Sequence, residues 1–263
     1  MGSLLDGLIT LSAWEIAFVY GAYLLGFYIR GAFGFGSNMP IVLLTTWVLG
    51  PHHTVLLVSM TAVMSQLHLL PQGIRTADWR VVVPVAPALI AGTAVGTWLL
   101  IRLRPEGLTV VMGALIVTIV LMDRLHVVQR LSRRFDLRSP GMVISLAGSS
   151  GLFGTVSGGG GIYFLVGYLR LVCPDPARLR STNLVLSGSF IAFRILLLSA
   201  ASLITLELMT EALVLMPAVF LGTWLGTRFF RTSSPERFYG ALQALLLAAA
   251  LALLAKGLVA LAT

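Results

Sequence analysis

Four consecutive glycines, Gly158-Gly159-Gly160-Gly161, follow Thr155-Val156-Ser157 and interrupt an otherwise apolar stretch. Each glycine costs about 1 kcal/mol against alanine inside a helix, so the helix is expected to break here. A broken helix offers free N–H groups and the positive end of its dipole, which hold an anion without any charged side chain. A second stretch of the same kind, Gly31-Ala32-Phe33-Gly34-Phe35-Gly36-Ser37-Asn38-Met39-Pro40, lies near the start of the chain. Gly34 and Gly36 supply bare amides there, with Ser37 and Asn38 as polar neighbours; Thr155 and Ser157 add hydroxyl donors at the later break. The competing reading is that these glycines only let helices approach closely. Small-xxx-small packing uses spaced glycines rather than four in a row, which favours the binding role.

Arg194 stands in Ser187-Gly188-Ser189-Phe190-Ile191-Ala192-Phe193-Arg194-Ile195-Leu196-Leu197, well inside an apolar segment. An arginine at a membrane-helix centre costs about 2.5–3.5 kcal/mol on insertion scales, so it calls for a partner or a water-filled cavity. Its guanidinium fork suits an oxyanion. Snorkelling towards the segment end near Leu203 is the alternative. Gln66 and His68, late in another apolar segment, are candidates to bond substrate or to bond a neighbouring helix, as is Asn183 beside Thr182. His52-His53 and His126 read as solvent-facing turn residues, and Glu15, Glu207 and Glu211 as carboxylates exposed at segment ends. Four dispersed histidines and the lone Cys173 give neither metal-ligand spacing nor a disulfide. No metal or cofactor is expected.

The elements that must carry these residues are membrane helices. Of 263 residues, 57% are hydrophobic and 11% charged, against about 25% charged in soluble domains. The mean hydropathy is +0.95. The net charge of +8 comes from 17 arginines and the single Lys256, set between apolar runs. That placement fits the positive-inside rule rather than nucleic-acid binding. The first residues carry no basic n-region, so no cleaved signal peptide is expected.

Ten apolar segments can be marked, at about 12–30, 35–50, 53–71, 81–103, 106–122, 140–157, 161–173, 181–203, 208–229 and 236–261, most near the ~20 residues that a bilayer requires. The second and seventh are short and adjoin the glycine breaks, so each either crosses or dips in as a re-entrant hairpin. If all ten cross, thirteen arginines, Arg30 and Arg75 among them, fall on one side, and Arg102, Arg104 and Lys256 on the other. This places both termini outside and the Arg124–Arg138 loop in the cytoplasm, where it serves to anchor the chain near anionic lipid.

The halves repeat. Gly92-Thr93-Ala94-Val95-Gly96-Thr97 recurs as Gly222-Thr223-Trp224-Leu225-Gly226-Thr227, Pro87 as Pro217, Pro105-Glu106 as Pro235-Glu236, and Phe33-Gly34 as Phe153-Gly154. With five segments per copy the second copy is inverted. The expected fold is therefore an all-α polytopic membrane protein of two tandem inverted repeats, 1–130 and 131–263, with broken helices at the two glycine motifs.

The run Ser150-Gly151-Leu152-Phe153-Gly154 leading into Gly158–Gly161, the Gly-x-x-x-Gly helices followed by Pro-Glu, and the doubled halves together resemble the TauE/SafE family of sulfite and organosulfonate exporters. The resemblance covers about Gly21 to Leu254. Its first copy departs from the pattern, with Gly34-Phe35-Gly36-Ser37-Asn38 in place of a fuller glycine run. What the resemblance implies is export of a small sulfur oxyanion or sulfonate across the bacterial inner membrane. A passive anion channel and a non-transporting assembly factor docking through the Arg124–Arg138 loop are the alternatives. Enzyme signatures are absent: there is no Walker A lysine, no Gly-x-Ser-x-Gly elbow and no His-Glu-x-x-His. The expected partners are a small anion and membrane lipid, with a homodimer compatible and nucleic acid not expected.

Overall fold

A computed structural model describes residues 7–8, 11–33, 37–125, 127, 139–159, 162–173, 175–229 and 235–262. Among them every regular element is helical and no strand occurs. Eleven helices follow one another: α1 (Ala13–Phe33), α2 (Asn38–Leu49), α3 (Pro51–Thr76), α4 (Trp79–Arg102), α5 (Pro105–Arg124), α6 (Pro140–Val156), α7 (Ile162–Val172), α8 (Pro176–Ala200), α9 (Leu206–Val214), α10 (Met216–Phe229) and α11 (Pro235–Ala262). Proline opens α3, α5, α6, α8 and α11, where its missing N–H is no loss and its fixed φ suits the first turn. Asp78, Asp175 and Thr205 cap α4, α8 and α9 by accepting hydrogen bonds from first-turn amides.

The apolar residues face outward as well as inward. Trp14 and Leu206 are each 77% exposed and Val83 65%, an outer surface suited to lipid rather than water. The helices α4, α5 and α8 are each long and apolar enough to cross a bilayer. The pair α9 and α10, bent by 43°, would make a fourth span. Here the sequence reading of one unbroken segment is corrected. Pro217 lacks an N–H and crowds the carbonyl four residues earlier, so the helix breaks at Leu215. Helices α2 and α7 have 12 and 11 residues, about 18 and 16 Å at 1.5 Å per residue. Each is well short of the ~30 Å hydrocarbon core.

The packing pairs helices from the two ends of the chain. The largest contacts join α4 to α6, α1 to α10, α5 to α11 and α3 to α8. Glycines set two of these distances. A side chain on Gly92 or Gly151 would run into the backbone of α6 or α4 respectively, and one on Gly31 or Gly222 into the backbone of α10 or α1. The packing role expected of Gly92, Gly96 and Gly222 is what the structure shows. Buried threonines at positions 45, 46, 61, 93, 97 and 155 donate their hydroxyls to carbonyls one turn back, so they cost little inside an apolar bundle.

Candidate anion site

The two glycine-rich breaks touch. Helix α6 ends at Val156, and the chain leaves it through Gly158 and Gly159 at φ +72° and +117°, left-handed conformations that favour glycine. The Gly159 amide still reaches back to the Gly154 carbonyl, and the Ser157 amide to Phe153 at 2.9 Å. On the other side, α1 ends at Phe33 and α2 begins at Asn38. The Asn38 Nδ2 donates to the Gly158 carbonyl at 2.8 Å, while the buried Ser37 hydroxyl donates to Asn38 Oδ1 at 2.7 Å. Gly34, Gly36, Gly160 and Gly161 lie outside the described residues.

Two arginines are enclosed beside these breaks. Arg194, 1% exposed, donates from Nη2 to the Thr155 carbonyl at 2.9 Å and lies over the Phe190 ring at 5.8 Å. Snorkelling is thereby overturned: the side chain turns inward to the broken helix. Arg30, 6% exposed, sits in the last turn of α1, just before the first break. Its Nη2 donates to Gln66 Oε1 at 2.7 Å, and Gln66 Nε2 donates on to the Leu184 carbonyl at 2.7 Å. Gly188 of α8 leaves room for this amide, since a side chain there would meet Gln66 Nε2 at 3.1 Å. Arg30, counted by sequence among the thirteen arginines on one side of the membrane, is thus covered by neighbouring helices. The Nε of both arginines has no partner. Among the described residues the sole ion pair is elsewhere, so neither arginine is neutralised by a carboxylate.

The other candidates make separate contacts. The Thr155 and Ser157 hydroxyls donate to their own helix, to Gly151 and Phe153 carbonyls at 2.8 and 2.6 Å. Asn183 is 2% exposed with Oδ1 unpartnered, early in α8. His68 lies on α3, its side chain outside the described part, and His126 is likewise outside. The solvent-facing reading of His52 and His53 is corrected. His52 Nε2 contacts the Leu100 carbonyl at 3.1 Å, and His53, 3% exposed, contacts Glu211 Oε2 at 2.6 Å. Glu211, expected at the surface, is 2% exposed. Being near a segment end in sequence did not put these residues near water, because the neighbouring helix ends and the N-terminal segment close over them. A separate cleft of about 530 Å³ lies between the first turns of α4 and α6 and the end of α7, with Asp78, Arg80 and Tyr168 in its wall. None of the expected site residues lines it. Among the described residues no cluster suited to a metal ion occurs.

Unwound backbone and buried arginines inside an apolar helical bundle fit a polytopic membrane protein, in which such groups are tolerated where protein encloses them or a water-filled cavity adjoins them. Residues 19–253 match the family described as Sulfite exporter TauE/SafE. The chain belongs to this family of membrane exporters for sulfite and related sulfur anions. No curated protein and no solved structure matches it.

Proposed function

We propose that the protein exports a small sulfur oxyanion or organosulfonate, such as sulfite or sulfoacetate, by alternating access between its two halves. The observation that carries this reading is the pair of buried arginines, Arg30 and Arg194, beside the helix breaks, whose partners among the described residues are neutral acceptors. Two uncompensated charges in a low-dielectric bundle are costly, and a bound anion offsets that cost. The polar groups Asn38 and Ser37 lie at the same junction, where Asn38 bonds the Gly158 carbonyl, and they add hydrogen-bonding capacity beside the two arginines. Gln66 sets the orientation of Arg30, and Asn183 offers a further polar group on α8.

The helix pairing supports two inverted repeats. If α1 corresponds to α6 and α4 to the α9–α10 pair, then the α1–α10 and α4–α6 contacts are the same contact seen twice. Rocking one half against the other would then expose the junction at Asn38 and Gly158 to each side in turn. In this scheme the protein lies in a bacterial inner membrane with both termini outside. An interior-negative potential then favours outward movement of a monovalent anion by about 2.3 kcal/mol per 100 mV.

The test is sulfite efflux from proteoliposomes. Arg194→Gln keeps a donor for the Thr155 carbonyl but removes the charge. Saturable efflux should fall about tenfold or more, the worth of one charge-assisted hydrogen bond. Efflux unchanged in folded Arg194→Gln protein removes Arg194 from the pathway. Efflux that never saturates points instead to a channel.

A further inference from the structure

The buried pair His53 and Glu211 takes no part in the anion site described above. His53 belongs to the first turn of α3 and Glu211 to α9, 158 positions later. Their contact at 2.6 Å is too short for two lone pairs, so a proton lies between Nε2 and Oε2. The carboxylate also accepts the Leu8 amide on Oε1 at 2.8 Å. Both of its donors are neutral when His53 is neutral, so the site then holds a net charge of minus one. The groups facing it do not offset that charge. Glu207 on α9 and the buried Tyr23 hydroxyl of α1 lie close to the carboxylate. The neighbouring His52 is turned to the Leu100 carbonyl, within the field of Glu106 on α5. No arginine or lysine among the described residues forms an ion pair there.

The other ring nitrogen supplies the second observation. His53 Nδ1 is buried and has no hydrogen-bond partner, an open lone pair inside the protein. A proton added there brings the pair to net zero, with the shared proton free to lie nearer either heavy atom. It also creates a buried N–H with no acceptor, which is costly until the helices rearrange. Loading a proton is therefore tied both to the local charge and to the seating of α3, α9 and the segment at Leu8.

We propose that His53 and Glu211 form a proton-binding site that is loaded together with the transported anion. Removing a buried negative charge from the bundle favours entry of an anion. By reciprocity, anion binding favours proton uptake. The proton adds to and leaves from His53 Nδ1, exchanged with water, and no other bond changes. This inference rests on the anion-transport reading of the preceding section.

Two measurements on purified protein separate the two ideas. In the first, sulfoacetate is added in weakly buffered solution containing a pH indicator. Wild-type protein should take up about one proton per anion bound, and His53→Gln and Glu211→Gln should take up almost none. Glu211→Gln removes the charge while its amide oxygen still accepts the Leu8 N–H, so that variant also serves if His53→Gln fails to fold. In the second, the imidazole nitrogens are followed by nitrogen NMR without any anion, His53 being assigned by its absence in His53→Gln. Its signals should move as the solution is acidified, and the movement should differ in Glu211→Gln. An imidazole whose signals do not respond to acid overturns the proton site, as does wild-type proton uptake in both variants. If sulfoacetate binds to none of the proteins, the substrate reading fails, and the NMR titration alone decides for or against the proton site.

Discussion

The amide of Asn38 donates to the carbonyl of Gly158 at 2.8 Å, joining two breaks that are 120 residues apart in the chain. One hydrogen bond thus holds the start of α2 against the end of α6. Asn38→Ala removes the donor and leaves the Gly158 carbonyl in an enclosed place. The cost should be about 1–3 kcal/mol of stability, read as a lower melting temperature in detergent. Anion efflux should fall with it, since the two half-helices lose their common register. Wild-type melting and efflux in Asn38→Ala would mean that the contact is incidental.

Arg30 and Gln66 allow a sharper test of charge. Gln66 Oε1 accepts from Arg30 at 2.7 Å, and Gln66→Glu changes that acceptor into a carboxylate without changing its size. The fold should survive with reduced stability, because the ion pair with Arg30 offsets the lost donation from Gln66 Nε2 to the Leu184 carbonyl. Transport should not. A fixed carboxylate satisfies Arg30 permanently and competes with the anion. The half-saturating sulfite concentration should rise about tenfold or more, as for loss of one charged hydrogen bond. Unaltered saturation would place Arg30 outside the anion path.

Much of this arrangement was legible in the sequence. Four consecutive glycines have no use in a helix, so the break after Val156 was evident, whereas Phe193-Arg194-Ile195 left burial and snorkelling of Arg194 both open. The glycines of α4 and α10 announced close packing by their repeated spacing. What escaped was every residue whose environment is set by a distant partner. Arg30 ends an apolar run and looks like a loop residue, yet α3 covers it through Gln66. His53 and Glu211 look peripheral because each stands near a helix end, but those ends meet beneath Leu8. Periodicity reports which residues prefer burial; it does not report which chain end folds over which. The bend at Leu215 was accessible in principle, since Pro217 stands in the middle of the ninth segment.

The break itself can be probed by methyl groups. Gly50 and Gly158 share nearly the same backbone angle, φ +75° and +72°, but not the same surroundings. A Cβ on Gly50 meets nothing within 4 Å, whereas one on Gly158 would approach Val42 Cγ2 at 2.5 Å. Gly50, with ψ 163°, stands in a region essentially confined to glycine, so Gly50→Ala should show a backbone cost alone, about 1–3 kcal/mol. Gly158→Ala should cost more, by about 1–3 kcal/mol for overpacking against α2. Gly159→Ala, at φ +117°, also meets the Asn38 amide at 2.5 Å and should abolish efflux. Equal melting temperatures for Gly50→Ala and Gly158→Ala would contradict the close approach of α2 to the break.

Helix packing offers a comparison across the two halves. Gly92 sits against the backbone of Gly148, and Gly222 against the Leu24 carbonyl and the Tyr28 amide. A methyl at either place can be relieved only by moving a helix, because the obstructing atoms are backbone rather than flexible side chains. Gly92→Ala and Gly222→Ala should each destabilise the protein by about 1–3 kcal/mol. Gly21 on α1 and Gly141 on α6 have nothing within 4 Å of a Cβ. There the same substitution should be neutral or stabilise by up to about 1 kcal/mol, since alanine favours the helix and glycine does not. Thermal unfolding of the four single variants reads the difference directly. If α1–α10 and α4–α6 are copies of one interface, Gly92→Ala and Gly222→Ala should also lose efflux to a similar degree, because each would wedge apart a contact that both halves need in order to move. A large loss at one glycine with none at the other would show that the two interfaces do different work, and the symmetric scheme for transport would fall.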